Sequence, residues 1–134
     1  MGTLYEVSGT LGSITEDLDV GNNIITVVLS GDVDNWNPTG LADANIILVD
    51  PDGADRDITG IMAPAAGVNK ILHLINLSTN KKLKIFNNST GDSDAANCIM
   101  VRDAGDKDVK KQDSFALLYD HTSSRWRQYG GRMG

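Results

Sequence analysis

Lys70-Ile71-Leu72-His73-Leu74-Ile75-Asn76-Leu77, then the turn Ser78-Thr79-Asn80-Lys81, then Leu83-Lys84-Ile85-Phe86-Asn87: this stretch decides the fold class. The first run is mostly apolar on both faces and reads as a central strand. The second alternates, with Leu83, Ile85 and Asn87 on one face, as a strand with one buried side does. The same grammar recurs on either side. Ile24-Ile25-Thr26-Val27-Val28-Leu29 is β-branched and stops at Ser30-Gly31-Asp32. Asn45-Ile46-Ile47-Leu48-Val49 stops at the turn sequence Asp50-Pro51-Asp52-Gly53. Residues 57–62, 98–101, 114–119 and 125–129 supply further short runs. About eight short strands separated by Gly, Asn, Asp and Pro predict an all-β fold, an antiparallel, jelly-roll-like β-sandwich. No repeat of 20–50 residues is visible, so a solenoid or propeller is not expected.

Helical signals are poor. Ser13-Ile14-Thr15-Glu16 has the form of a capping box, but no periodic apolar face follows it, so a turn is expected there. The chain of 134 residues reads as one domain: residues 1–23 as an N-terminal arm or edge strand, residues 24–134 as the sandwich. Leu4, Tyr5, Val7 and Leu11 make the arm apolar enough to dock on a neighbour.

The net charge of -6 argues against a general nucleic-acid binder. The charge is divided along the chain: residues 1–67 carry 11 acids and one base, Arg56, whereas residues 68–134 carry 7 acids and 11 bases. A fold that keeps these halves apart has acidic and basic ends, a polarity able to orient neighbouring copies. No apolar run is long enough to cross a bilayer, and the first residues lack the pattern of a signal peptide, so no membrane partner is expected. Cys98 is the single cysteine and reads as a small buried hydrophobe.

No catalytic motif stands out, and the chain is not expected to be an enzyme or to need a cofactor. His73 lies in an apolar strand, where a hydrogen-bonded structural role is the default. His121 lies in the turn Asp120-His121-Thr122-Ser123-Ser124. Asp50, Asp52, Asp55 and Asp57 place four carboxylates within eight residues. Turn chemistry accounts for them without a metal, since Asp bonds its own backbone. Asn76, Asn87 and Asn88 sit in glycosylation-like triplets but read as strand-end and turn residues, with Asn76, Asn87 and Asn97 capping corner backbone groups. Trp126 reads as a core aromatic. Trp36, beside Pro38, is a candidate interface anchor, with a core role open as well.

Residues 32–129 resemble the small jelly-roll domains of tailed-phage particles, found as capsid decoration (cement) proteins, head fibres and modules of tail appendages. The resemblance lies in Asn35-Trp36-Asn37-Pro38, Ile58-Thr59-Gly60-Ile61, the Asn87-Asn88-Ser89 turn, Ser93-Asp94-Ala95-Ala96-Asn97, Leu117-Leu118-Tyr119-Asp120 and Ser124-Arg125-Trp126-Arg127. Where members often carry arginine after the Ala-Ala-Asn segment, this chain has Cys98. The resemblance implies a homotrimer on the outer capsid surface of a virion, with the major capsid protein as partner. A start at Met and the lack of a fibrous region favour a free-standing decoration protein. The alternative is a receptor-binding or adhesive module of a head fibre or tail appendage, with glycan as a candidate ligand.

Overall fold

The structure, a computed structural model, describes residues 23–131. Among these residues nine strands form in chain order: β1 (Ile24–Val28), β2 (Ile46–Asp50), β3 (Arg56–Ile58), β4 (Ile71–Asn76), β5 (Leu83–Ile85), β6 (Ile99–Met100), β7 (Lys107–Val109), β8 (Ser114–Asp120) and β9 (Arg125–Gly131). Among the described residues the helical elements are three short 3₁₀ turns, Leu41–Asp43, Ala95–Asn97 and Arg102–Ala104. The all-β expectation holds. All eight expected runs form strands, and β7 is an addition; with one buried apolar residue, Val109, it has no pattern to read.

The strands build a six-stranded sheet in the order β1-β2-β4-β8-β9-β6 and a three-stranded sheet in the order β3-β5-β7. Their pairing corrects the expected antiparallel wiring: four of the seven strand pairs are parallel. Ile24, Ile46 and His73 stand in parallel register in the large sheet. Val33, Ile58 and Ile85 do so on the small-sheet side, and Trp36 pairs parallel with Ile61. The chain therefore winds from large sheet to small sheet and back in stacked turns of about 25 residues, a solenoid-like course. The expectation against a solenoid is corrected on this point. Stacking needs inward apolar residues at matching levels, not repeated sequence. After β5 the winding ends: β8 runs antiparallel to β4, and β9 antiparallel to β8.

The corners explain the direction of travel. Each turn sends the chain across to the other sheet instead of back along its neighbour, so the next strand arrives parallel. At the β2–β3 corner the Asp50 carboxylate accepts the Asp52 amide at 2.9 Å, with Asp52 (φ 56°) and Gly53 (φ 80°) both left-handed. At the end of β4, Asn76 donates to the Lys81 and Val109 carbonyls at 2.8 and 3.0 Å and accepts the Ser78 amide at 2.9 Å. Asn87 accepts the Val101 amide, and Asn97 accepts the Ala63 amide. The three asparagines cap corners as expected.

The core lies between the sheets. Ile47, Val49, Leu72, Leu74, Phe115 and Leu117 from the large sheet meet Ile58, Leu83, Ile85 and Val109 from the small one. Each such side chain stabilises the fold by roughly 1.5–3 kcal/mol when fully buried. Trp126 is fully buried, donates Nε1–H to the Ile61 carbonyl at 2.8 Å and takes Tyr119 edge-on at 5.1 Å. Cys98 is buried as well, and burial pushes its thiol pKa up. Packing leaves no room at Gly60, where a Cβ would come within 2.6 Å of Ser93.

Candidate interaction face

Alternation along the strands gives the large sheet an inner and an outer side. In β4, Leu72 and Leu74 point inward, so Ile71, His73 and Ile75 point outward. In β2, Ile47 and Val49 are buried, and Ile46 and Leu48 face out. Edge strand β1 directs Ile25 and Val27 towards the core and exposes Ile24, Thr26 and Val28. From β8 come Ser114, Ala116 and Leu118, and from β9 Arg127 and Tyr129.

Register assembles these residues into rows. One row is Ile71, Leu118, Arg127; the next is Ile24, Ile46, His73, Ala116; a third is Thr26, Leu48, Ile75, Ser114. Tyr129 reaches over the small Ala116 side: its hydroxyl lies 3.0 Å from His73 Nε2, and the rings meet edge-on at 6.0 Å. Charge is confined to the margins. Asp50 ends β2, and Arg127 holds Asp120 at 2.8 Å. That guanidinium, with Ser123 next, lowers the Asp120 pKa to about 2.

Val28 is 58% exposed, Ile71 45%, Leu118 41% and Tyr129 45%. With Ile24 and the half-buried Ile46, Leu48 and Ile75, they make this face mainly apolar, with Thr26, His73 and Ser114 set among them. A patch of this kind marks an interaction site, whereas scattered single hydrophobes do not. The small sheet is the opposite. Asp57, Lys84 and Asp108 form one charged row across β3, β5 and β7, and Lys82 bonds Asp108 at 3.0 Å. One sheet has a charged outer face, the other a mainly apolar one.

The candidates that the sequence suggested fare differently on this geometry. Leu4, Tyr5, Val7 and Leu11, the capping box at Ser13 and the arm itself lie outside the described residues. Of the two roles open for Trp36, interface anchor or core residue, its place in the described residues is in the core. It is 6% exposed, because its amide bonds the Gly60 carbonyl and its carbonyl the Met62 amide, each at 2.8 Å, which locks it into the stack. The outer-face residues Ile24, Val28, Ile46, Leu48, Ile71, Ile75, Leu118 and Tyr129 were not singled out from sequence. Their signal was present in strands apolar on both faces, which two-sided burial explains.

The remaining polar candidates have structural partners. His121 Nε2 lies 2.7 Å from the Val68 carbonyl, whereas Ser123 bonds Asp120 directly at 2.8 Å, so the three do not form a relay. In the acidic loop Asp50 caps its own turn and Asp55 accepts the Lys82 amide at 3.1 Å. Among the described residues no group of three or more His, Cys, Asp or Glu side chains converges as a metal site. The described residues thus define an all-β, two-sheet protein of stacked turns with one apolar outer face. Comparison with protein-family models, curated proteins and solved structures finds no match for the chain.

Proposed function

We propose that this chain is a non-catalytic structural protein of a tailed-phage virion, a decoration protein that binds and stabilises the major capsid lattice as a homotrimer. The observation that supports it best is the contrast between the two outer faces: apolar on the large sheet, charged on the small sheet. Three copies that turn their large sheets inward bury the apolar faces and leave the charged rows in water. The face carries little net charge, so like-charge repulsion does not oppose self-association. The tailed-phage assignment rests on the resemblance of residues 32–129. What this chain shares with the jelly-roll domains is then the two-sheet, all-β plan, with a different strand order of travel. Attachment to a shell draws on many modest contacts repeated over a symmetric lattice.

Light scattering of the full chain at micromolar concentration should report three chain masses, and the protein should co-sediment with decoration-free shells. A monomer that ignores shells overturns the reading. A chain lacking residues 1–22 provides the control: if it associates while the full chain does not, those residues, and not a second copy, cover the face. The head-fibre or tail-appendage reading has its own support in the position of β1, which ends the large sheet among the described residues, where a further turn can extend the stack along its axis. Binding to host cells with no binding to shells favours that reading.

A further inference from the structure

A cavity of about 230 Å³ opens between the 3₁₀ turn Leu41–Asp43 and the loop that runs from Met62 to Lys70. Its lining is predominantly apolar: Leu41, Met62, Pro64 and Val68 surround it, over Trp126. One charged group borders it. Lys70 is 7% exposed, and its ammonium donates to the Leu41 and Ala42 carbonyls at 2.8 and 3.0 Å. An ammonium has three donors, and these two bonds use two of them. Among the described residues no carboxylate forms an ion pair with it; Asp43 acts on it only through space. A buried charge normally has a counter-charge, and this one has two neutral carbonyls.

The cavity walls are fixed in advance. The loop is tied down at three points: Trp126 Nε1–H on the Ile61 carbonyl, Asn97 Oδ1 on the Ala63 amide at 2.8 Å, and His121 on the Val68 carbonyl. A site held in this way needs little ordering when it is filled. Its volume exceeds the roughly 150 Å³ in which an apolar cavity takes up benzene. It has too few polar groups to read a glycan, which presents hydroxyls on every side.

We propose that this cavity binds a small carboxylate with a compact apolar body, aromatic or short-chain aliphatic, whose carboxylate meets the third donor of Lys70. The site is independent of the apolar face and of the virion reading. Binding supplies a counter-charge that no described residue gives by an ion pair, and the charge-assisted bond gives the carboxylate its advantage over a neutral molecule of the same shape.

The test is titration of the full chain with benzoate, hexanoate and the neutral isostere benzyl alcohol, followed by amide NMR shifts. Saturable shifts at Ala42, Ala63, Ala65 and Val68 are expected with the carboxylates, and weaker binding with the alcohol. Lys70→Met should weaken benzoate by about tenfold or more and leave benzyl alcohol unchanged. Ala65→Phe, at an exposed lining position, should block both. If Lys70→Met fails to fold, the comparison of benzoate with benzyl alcohol in the unaltered protein decides. No saturable shift up to about 10 mM, a range that detects even millimolar affinity, overturns the proposal. So does benzyl alcohol binding as tightly as benzoate, or a folded Lys70→Met that binds benzoate undiminished.

Discussion

Asp57 and Asp120 are two carboxylates pushed in opposite directions by what surrounds them. Partial burial, then the charge of Asp32, raises the Asp57 pKa, and Lys84 across the row offsets only part of this. A carboxyl group with a raised folded pKa takes up its proton more readily folded than unfolded. It therefore opposes folding above that pKa, and the opposition disappears below the unfolded value. Asp57→Asn should raise the melting temperature at about pH 7 and converge on the parent chain near about pH 4, where the unfolded carboxyl protonates. Thermal melts of both chains across this range check it; a variant less stable at neutral pH contradicts the sign. Asp120 shows the reverse. Bonded first by Arg127 and then by Ser123, its carboxylate supports the fold above the ordinary carboxyl pKa and loses that support as pH falls towards about 2. The gap between Asp120→Asn and the parent chain should accordingly close as melts are taken from about pH 4 down to about pH 2.

At the scale of the element, β4 carries the architecture: it pairs parallel with β2 and antiparallel with β8, so it joins the stacked turns to the closing strands. Its last residue, Asn76, is fully buried and satisfies the carbonyls of Lys81, Val109 and Lys110 together with the Ser78 amide. Asn76→Leu keeps the size and removes the donor to the Lys81 and Val109 carbonyls and the acceptor of the Ser78 amide, while the Lys110 carbonyl keeps the Asp113 amide at 3.0 Å. The loss should be about 2–4 kcal/mol, since each orphaned buried group costs roughly 1–3 kcal/mol. Asn76→Asp should be no milder, because a carboxylate accepts and cannot donate. Urea unfolding with an unchanged slope and a lowered midpoint is the expected result. The role of this residue was legible as a strand-end cap. That its reach extends to Val109 was not, because β7 becomes its neighbour only through the chain's return from β6.

For the whole molecule, the prediction concerns the face that the rows of the large sheet build together. Ile71 and Leu118 are cross-strand partners at its lower margin. Leu118→Asp places a charge in a contact that excludes water, while as an exposed position in the single chain it leaves the core untouched. The variant should keep a strand-dominated circular dichroism spectrum and sediment as a monomer. The matching change on the charged sheet, Lys84→Ala, should leave the assembly intact. A Leu118→Asp chain that still sediments at three chain masses removes the large-sheet face as the interface. The two halves of the charge pattern belong to this scale too. Among the described residues β1, β2 and β3 hold one side of each sheet and β7, β8 and β9 lie towards the other, and the two halves of the charge pattern meet where Asp57 of β3 pairs with Lys84 of β5.

The sequence by itself determined eight of the nine described strands, the corners and most of the core, with β7 and Trp36 the exceptions. Alternation with turn residues marks a strand locally, Asn and Asp bond backbone within a few residues of themselves, and Trp126, Cys98 and Leu83 are apolar wherever the chain goes. Only the tertiary structure decided the direction of pairing and the location of the apolar outer face. A turn such as Asp50-Pro51-Asp52-Gly53 closes equally well into a hairpin or into a crossing to the other sheet, and the choice depends on which surface lies opposite to receive the next strand. The apolar face was hidden for the same reason. Ile24, Ile46 and His73 are far apart in sequence, and no local pattern records that parallel register sets them side by side. Trp36 shows the limit most plainly: a loop tryptophan beside proline suits an interface or a core equally, and its pairing with Ile61 in the next turn is what buries it.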